Sequence, residues 1–101
     1  MLDADQIRDT MTRYVKLLCD GDVEGIMALY GSEPMVEDPV GAPAQVGREA
    51  VRAFYTAATP MLRAEITGPI RVAGQECAVP MLAEIDHGER KSYIDVIDVM
   101  R

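Results

Sequence analysis

The sequence predicts an α+β fold. Three helices before Pro60 should pack on one face of a curved, mostly antiparallel sheet built from the remainder. Three observations predict it. Apolar residues before Pro60 recur at helical spacing. From Leu62 onward the period changes to two. Two turn signals, Gly74-Gln75-Glu76 and Asp86-His87-Gly88-Glu89, then divide this second part into strands. Helices first and antiparallel strands after is an α+β order.

The first helix is capped by Asp3 or Asp5. Its inner face is Ile7, Met11, Tyr14, Val15 and Leu18, and Gly21 ends it. Asp22 caps a shorter second helix with Ile26, Leu29 and Tyr30 inward, closed by Gly31 and Pro34. Met35-Val36-Glu37-Asp38 is extended, because Pro39 disfavours helical geometry at Asp38. Val40-Gly41-Ala42-Pro43 is a loop. Gly47-Arg48-Glu49 opens the third helix, with Val51, Phe54, Tyr55 and Ala58 on one face, and Pro60 stops it.

In the second part Leu62, Ala64 and Ile66 alternate with Arg63, Glu65 and Thr67. Gly68-Pro69 interrupts, and Ile70 and Val72 continue. Cys77, Val79, Met81, Ala83 and Ile85 share one parity of the next strand. Pro80 within it predicts an edge position or a bulge. Lys91 to Arg101 is the last strand.

The composition bounds what this chain does. Its 101 residues fit one domain, 1–101, around one core, and 49% of them are hydrophobic. A net charge of −7 argues against a nucleic-acid backbone or an anionic membrane as partner. No apolar run is long enough for a membrane span, and the acidic start, Met1 to Asp5, is unlike a signal peptide. Cys19 and Cys77 have no motif spacing, so reduced thiols and a cytoplasmic location are expected. No cluster has metal-ligand spacing, and no metal or cofactor is expected. His87 lies in a turn, which removes Ser/His and Cys/His catalysis.

The last strand carries the strongest chemical signal. Ile94, Val96, Asp98 and Met100 share one face, and Tyr93, Asp95, Ile97, Val99 and Arg101 the other. Asp98 is the only polar residue among these four. Period two therefore separates two aspartates three residues apart: Asp98 faces an apolar interior, and Asp95 is solvated or paired. Desolvation raises a carboxyl pKa, so Asp98 should be neutral near pH 7. The other reading gives it a structural partner, such as a backbone group, Arg13 or Arg71. Tyr14, Tyr30 and Tyr55 come from the inner faces of three helices. Each alone reads as a core tyrosine with a satisfied hydroxyl. Together, opposite a buried acid, they could donate hydrogen bonds in series and polarise a terminal donor. Asp38, taken alone, reads as a turn aspartate before proline.

Several stretches together resemble the bacterial Δ5-3-ketosteroid isomerase family. They are Met11-Thr12-Arg13-Tyr14, Tyr30, Val36-Glu37-Asp38-Pro39 with Gly41, Gly47-Arg48-Glu49 with Phe54-Tyr55, Gly68-Pro69, and Asp95 through Arg101. The resemblance implies a cone-shaped fold like nuclear transport factor 2 and a homodimer working without cofactor or metal. It implies Asp38 as catalytic base, Tyr14 and Asp98 as oxyanion-hole donors, and Tyr55 and Tyr30 hydrogen-bonded in series behind Tyr14. Ketosteroid isomerase is the reference case of a carboxylic acid kept neutral so that it can donate a hydrogen bond.

The implied reaction moves the C4 proton of a 3-oxo-Δ5-steroid to C6 through a dienolate, giving the 3-oxo-Δ4-steroid. A flat apolar substrate needs hydrocarbon walls, for which Leu18, Val36, Val40, Phe54, Val79, Met81 and Val96 are the candidates. Two departures stand out. Family members often carry an aromatic residue at the place of Val40. They also continue into a further strand beyond the place of Arg101, so a fragment or shortened form of a longer domain is expected. Two other readings remain open: another enzyme of the same superfamily, polyketide-cyclase-like or dehydratase-like, and a non-catalytic small-molecule-binding module.

Overall fold

Asp3 accepts a hydrogen bond from the Gln6 backbone, and the Gln6 side chain accepts one from the Asp3 backbone N–H. This capping box starts helix α1, Ala4–Asp20. Gly21, at φ 70°, supplies the left-handed residue that ends it. The Asp22 carboxylate then caps α2, Val23–Leu29, through the Gly25 N–H. The computed structural model describes residues 2–101, and Met1 lies outside them.

After α2 the chain forms a small antiparallel pair, β1 (Met35–Val36) and β2 (Gln45–Val46). Helix α3, Arg48–Ala58, follows and runs into a short 3-10 turn at Thr59–Met61. The main sheet holds β3 (Leu62–Ile66), β4 (Arg71–Ala73), β5 (Glu76–Asp86) and β6 (Lys91–Met100). All its pairings are antiparallel. β5 is central, with β6 along one side and β3 and β4 end to end along the other. The architecture is the α+β arrangement that the periodicities predict: three N-terminal helices against an antiparallel sheet.

The core forms where the apolar faces meet. Ile7, Met11, Val15 and Leu18 of α1 join Ile26 and Met27 of α2, Val51 and Tyr55 of α3, and Cys77, Val79 and Met81 of β5. Helix α1 lies against β3 and β4, and α2 bridges α1 to α3.

Two details differ from the sequence reading. The inner face of α2 is Ile26 and Met27, while Leu29 and Tyr30 are half-buried. The helix ends at Leu29, and Tyr30 turns to an extended conformation, so the helical period no longer places it. Pro80 sits in the central strand, not at an edge. Its neighbour carries the irregularity: Ile66 pairs with Met81 and Arg71 with Ala78, so four residues on one side face two on the other. The Thr67 N–H still reaches the Pro80 carbonyl at 3.0 Å. A residue's N–H and C=O point to the same side of an antiparallel pair, so the proton Pro80 lacks falls where the β3–β4 ladder is already broken.

Candidate active site

Alternation along β6 separates the two aspartates as its sequence pattern predicts. Val96, Asp98 and Met100 are half-buried, while Asp95, Ile97 and Val99 are exposed. Asp98 pairs in register with Val79, which is completely buried. Burial, and then the nearby charge of Asp38, push the Asp98 carboxyl up to about 6. Among the described residues no ion pair joins Asp98 to Arg13 or Arg71.

The three tyrosines converge. The Tyr55 hydroxyl lies 2.9 Å from that of Tyr14 and 2.6 Å from that of Tyr30. Tyr14 comes from α1, Tyr55 from α3, and Tyr30 from the C-cap of α2, so each helix contributes one phenol. Phe54 packs edge-on against the Tyr55 ring, with centroids 5.2 Å apart. Burial raises the pKa of all three phenols, and the Asp98 charge adds to each. They therefore remain neutral hydrogen-bond donors across the working pH range.

Asp38 follows β1 in the turn that leads to β2, closed by a bond from the Ala42 N–H to the Pro39 carbonyl. It is exposed. Its charge acts on both Asp98 and Tyr14, which places the three in one electrostatic neighbourhood. Asp38 is exposed and Asp98 half-buried, so the two carboxyls lie in unequal surroundings.

The seven apolar candidates fall at three depths. Leu18, Val79 and Met81 are core residues, and Val79 has no accessible surface. Val36, Phe54 and Val96 are half-buried. Val40 is 89% exposed on the turn after Asp38 and walls nothing in this conformation. Met100 flanks Asp98 on the same face of β6 and is half-buried, which makes it a further apolar candidate. Strand parity is the signal that finds it. Two surface clefts, of about 580 and 420 Å³, open elsewhere. One lies between α1 and the β3–β4 break, the other between α1 and α2. Neither is lined by Asp38, Asp98, Tyr14, Tyr30 or Tyr55. Among the described residues no three His, Cys, Asp or Glu gather as metal ligands, and no helix is long and apolar enough to cross a membrane.

The comparisons with known proteins agree on the family and divide on the reaction. Residues 11–101 match the SnoaL-like domain. The chain is similar to a steroid Delta-isomerase of Nocardioides simplex, at 32% identity over 96 residues, covering 94% of this chain and 77% of that one. It is also similar to the epoxide hydrolase LasB of Streptomyces lasalocidi, at 34% identity over 88 residues and 84% of this chain. That match spans 31% of LasB, about a third of its length. In structure it is similar to SalBIII, described as an epoxide hydrolase/cyclase-like enzyme with a role in pyran ring formation in polyether salinomycin. The TM-score is 0.89 over 98% of this chain and 81% of that one, at 24% identity, which shows the fold. The chain belongs to the SnoaL-like domain family, within the nuclear transport factor 2-like superfamily that includes isomerases, cyclases and epoxide hydrolases.

Proposed function

We propose that this chain is an acid–base enzyme acting on an oxygen-bearing, largely apolar small molecule, as a polyketide-cyclase-like member of its superfamily. The single observation that carries the reading is the unequal pair of carboxyls. Asp98, with its pKa pushed up to about 6, is the proton donor. Asp38, reached by solvent, is the base. A bound apolar substrate would cover Asp98 further and hold its proton more firmly.

On an epoxide the steps balance as follows. Asp98 gives its proton to the epoxide oxygen as one C–O bond breaks. Asp38 takes the proton from the attacking oxygen as the new C–O bond forms. An attacking hydroxyl of the same substrate closes a cyclic ether, and an attacking water gives a diol. The proton on Asp38 then returns to Asp98 through solvent. Tyr14, backed by Tyr55 and Tyr30, donates a hydrogen bond to the oxygen that gains charge. Similarity to the epoxide hydrolase LasB supports epoxide opening, and the cyclic ether made with SalBIII's participation is the kind of product the hydroxyl attack would give.

The tyrosine series favours a second reading, steroid Delta-isomerase. There Asp38 carries the C4 proton to C6, while Tyr14 and Asp98 hold the dienolate oxygen. The Nocardioides simplex relative supports it. Both readings use the same three residues. They are separated by supplying the purified chain with 5-androstene-3,17-dione and, separately, with a long-chain hydroxy-epoxide. Conjugated-enone absorbance with the first assigns the isomerase. Cyclic ether or diol with the second, detected by mass and NMR, assigns the epoxide-opening enzyme. Turnover of neither above the Asp38→Asn variant would sink the proposal.

A further inference from the structure

We propose that Arg48 is a positioning residue that sets Tyr30, and with it the segment carrying Asp38, for catalysis. The proposal rests on the acid–base reading above.

The observation is a guanidinium with three carbonyl partners. Arg48 Nη1 donates to the Gly31 carbonyl at 2.9 Å and to the Tyr30 carbonyl at 3.4 Å, and Nη2 donates to the Met27 carbonyl at 3.0 Å. These acceptors belong to the C-terminus of α2 and the residues just past it, where helix carbonyls lack their full intrahelical bonding; from the backbone, the Met27 carbonyl accepts only the C-cap bond from the Tyr30 N–H. A cation is favoured there by the helix dipole, and the planar fork of arginine can address several oxygens at once. Arg48 is half-buried and has no carboxylate partner among the described residues. Its hydrogen-bonding capacity is directed at the α2 terminus.

The position of Arg48 in α3 gives that grip its consequence. Tyr55 lies seven residues further along the same helix, two turns away on the same face. Tyr55 holds the Tyr30 hydroxyl at 2.6 Å, and Arg48 holds the Tyr30 backbone. One helix therefore grips Tyr30 at both ends. The segment bearing Asp38 is tied to the same place. Gly47, directly before Arg48, donates to the Pro34 carbonyl at 2.9 Å, and β1 pairs with β2 immediately inside that bond. Arg48 closes the base of this loop by holding Gly31 at its start. The two arms of the site, tyrosine series and Asp38 loop, share this single cation as their anchor.

The test uses Arg48→Met, which keeps most of the bulk and loses every donor, and Arg48→Lys, which keeps the charge and loses the fork. Two readouts are taken on folded protein: the 13Cζ resonance of Tyr30 in tyrosine-labelled chain, and kcat and KM on whichever substrate the unsubstituted chain turns over. We expect the Tyr30 resonance to move toward that of free tyrosine in Arg48→Met. We expect kcat to fall about tenfold with KM within about twofold, as for loss of geometry rather than of substrate contact. Arg48→Lys should fall between. An unchanged Tyr30 resonance overturns the proposal, as does a moved resonance with unchanged kcat. Should Arg48→Met fail to fold by circular dichroism, Arg48→Lys decides by the same two readouts. Should the unsubstituted chain turn over neither substrate, the functional reading fails on its own, and the Tyr30 resonance still decides whether Arg48 sets that tyrosine.

Discussion

Asp98 stands directly opposite Val79 across the β5–β6 ladder. Val79 is the deepest point of β5, with no accessible surface, so the carboxyl is anchored beside the driest part of the sheet. Removing hydration penalises the charged form, which is why the Asp98 carboxyl is pushed up to about 6.

The pH dependence of stability follows with a definite sign. Asp98 rises from 3.8 to about 6 on folding. A carboxyl raised in the folded state binds its proton better there, so its stabilising contribution is complete below about pH 4. It is lost as pH rises toward 6 and stays lost above. Relative to Asp98→Asn, the unsubstituted chain should lose ~1–2 kcal/mol between pH 4 and 7, after discounting for partial solvent access. Urea unfolding of both proteins at the two pH values measures it. Parallel stability curves for the two would contradict the assignment.

Val79→Ala tests the origin of that shift. The substitution opens a void in the core and should cost ~1.5–3 kcal/mol. It should also bring the Asp98 titration down toward the ordinary carboxyl range, as water reaches the ladder. Carboxyl 13C NMR across pH reads the second effect independently of stability.

Tyr55 is the middle of the phenol series, so its loss should exceed that of either end. Tyr55→Phe removes partners from both Tyr14 and Tyr30, whereas Tyr14→Phe breaks one bond. We expect about 1–3 kcal/mol for the first and about half of that for the second. Thermal melts of the two variants give the order, and equal losses would mean that the series does not act as a chain.

Asp38→Asn separates chemistry from folding. Asp38 is exposed, and no hydrogen bond or ion pair among the described residues uses its carboxylate. Stability should stay within about 0.5 kcal/mol of the unsubstituted chain. Turnover should fall by ~100-fold or more, as expected for loss of a general base. Stopped activity with an unchanged melt supports the assignment, and full activity removes Asp38 from the site.

Legibility differed by the kind of information each feature needs. Asp98 was readable because strand parity is a property of the chain itself: with period two, Ile97 and Val99 point one way and Val96 and Met100 the other. The helix faces of α1 and α3 were readable for the same reason. Depth was not. Parity turns both Val79 and Val96 inward, yet one is sealed in the core and the other half-open, because depth depends on which helices cover that part of the sheet. Pro80 misled because the cost of a proline in a strand depends on the neighbouring strand. That neighbour breaks at Thr67 to Ile70, just where the missing N–H would have pointed. Arg48 was visible only as part of a motif. Its three acceptors are backbone carbonyls, which leave no mark in residue identity.

The tyrosine series has a counting property. Three hydroxyls carry three hydrogens, and two links between them use two. Tyr55 is buried, so its hydrogen must go to one neighbour or the other. Only two orderings then connect the series end to end. In one, the spare hydrogen emerges at Tyr14, the phenol that feels the charge of both aspartates. In the other, it emerges at Tyr30. Switching between them rotates three O–H bonds and moves no heavy atom. An electron-rich oxygen arriving at Tyr14 would choose the first ordering, and all three phenols would turn together to meet it.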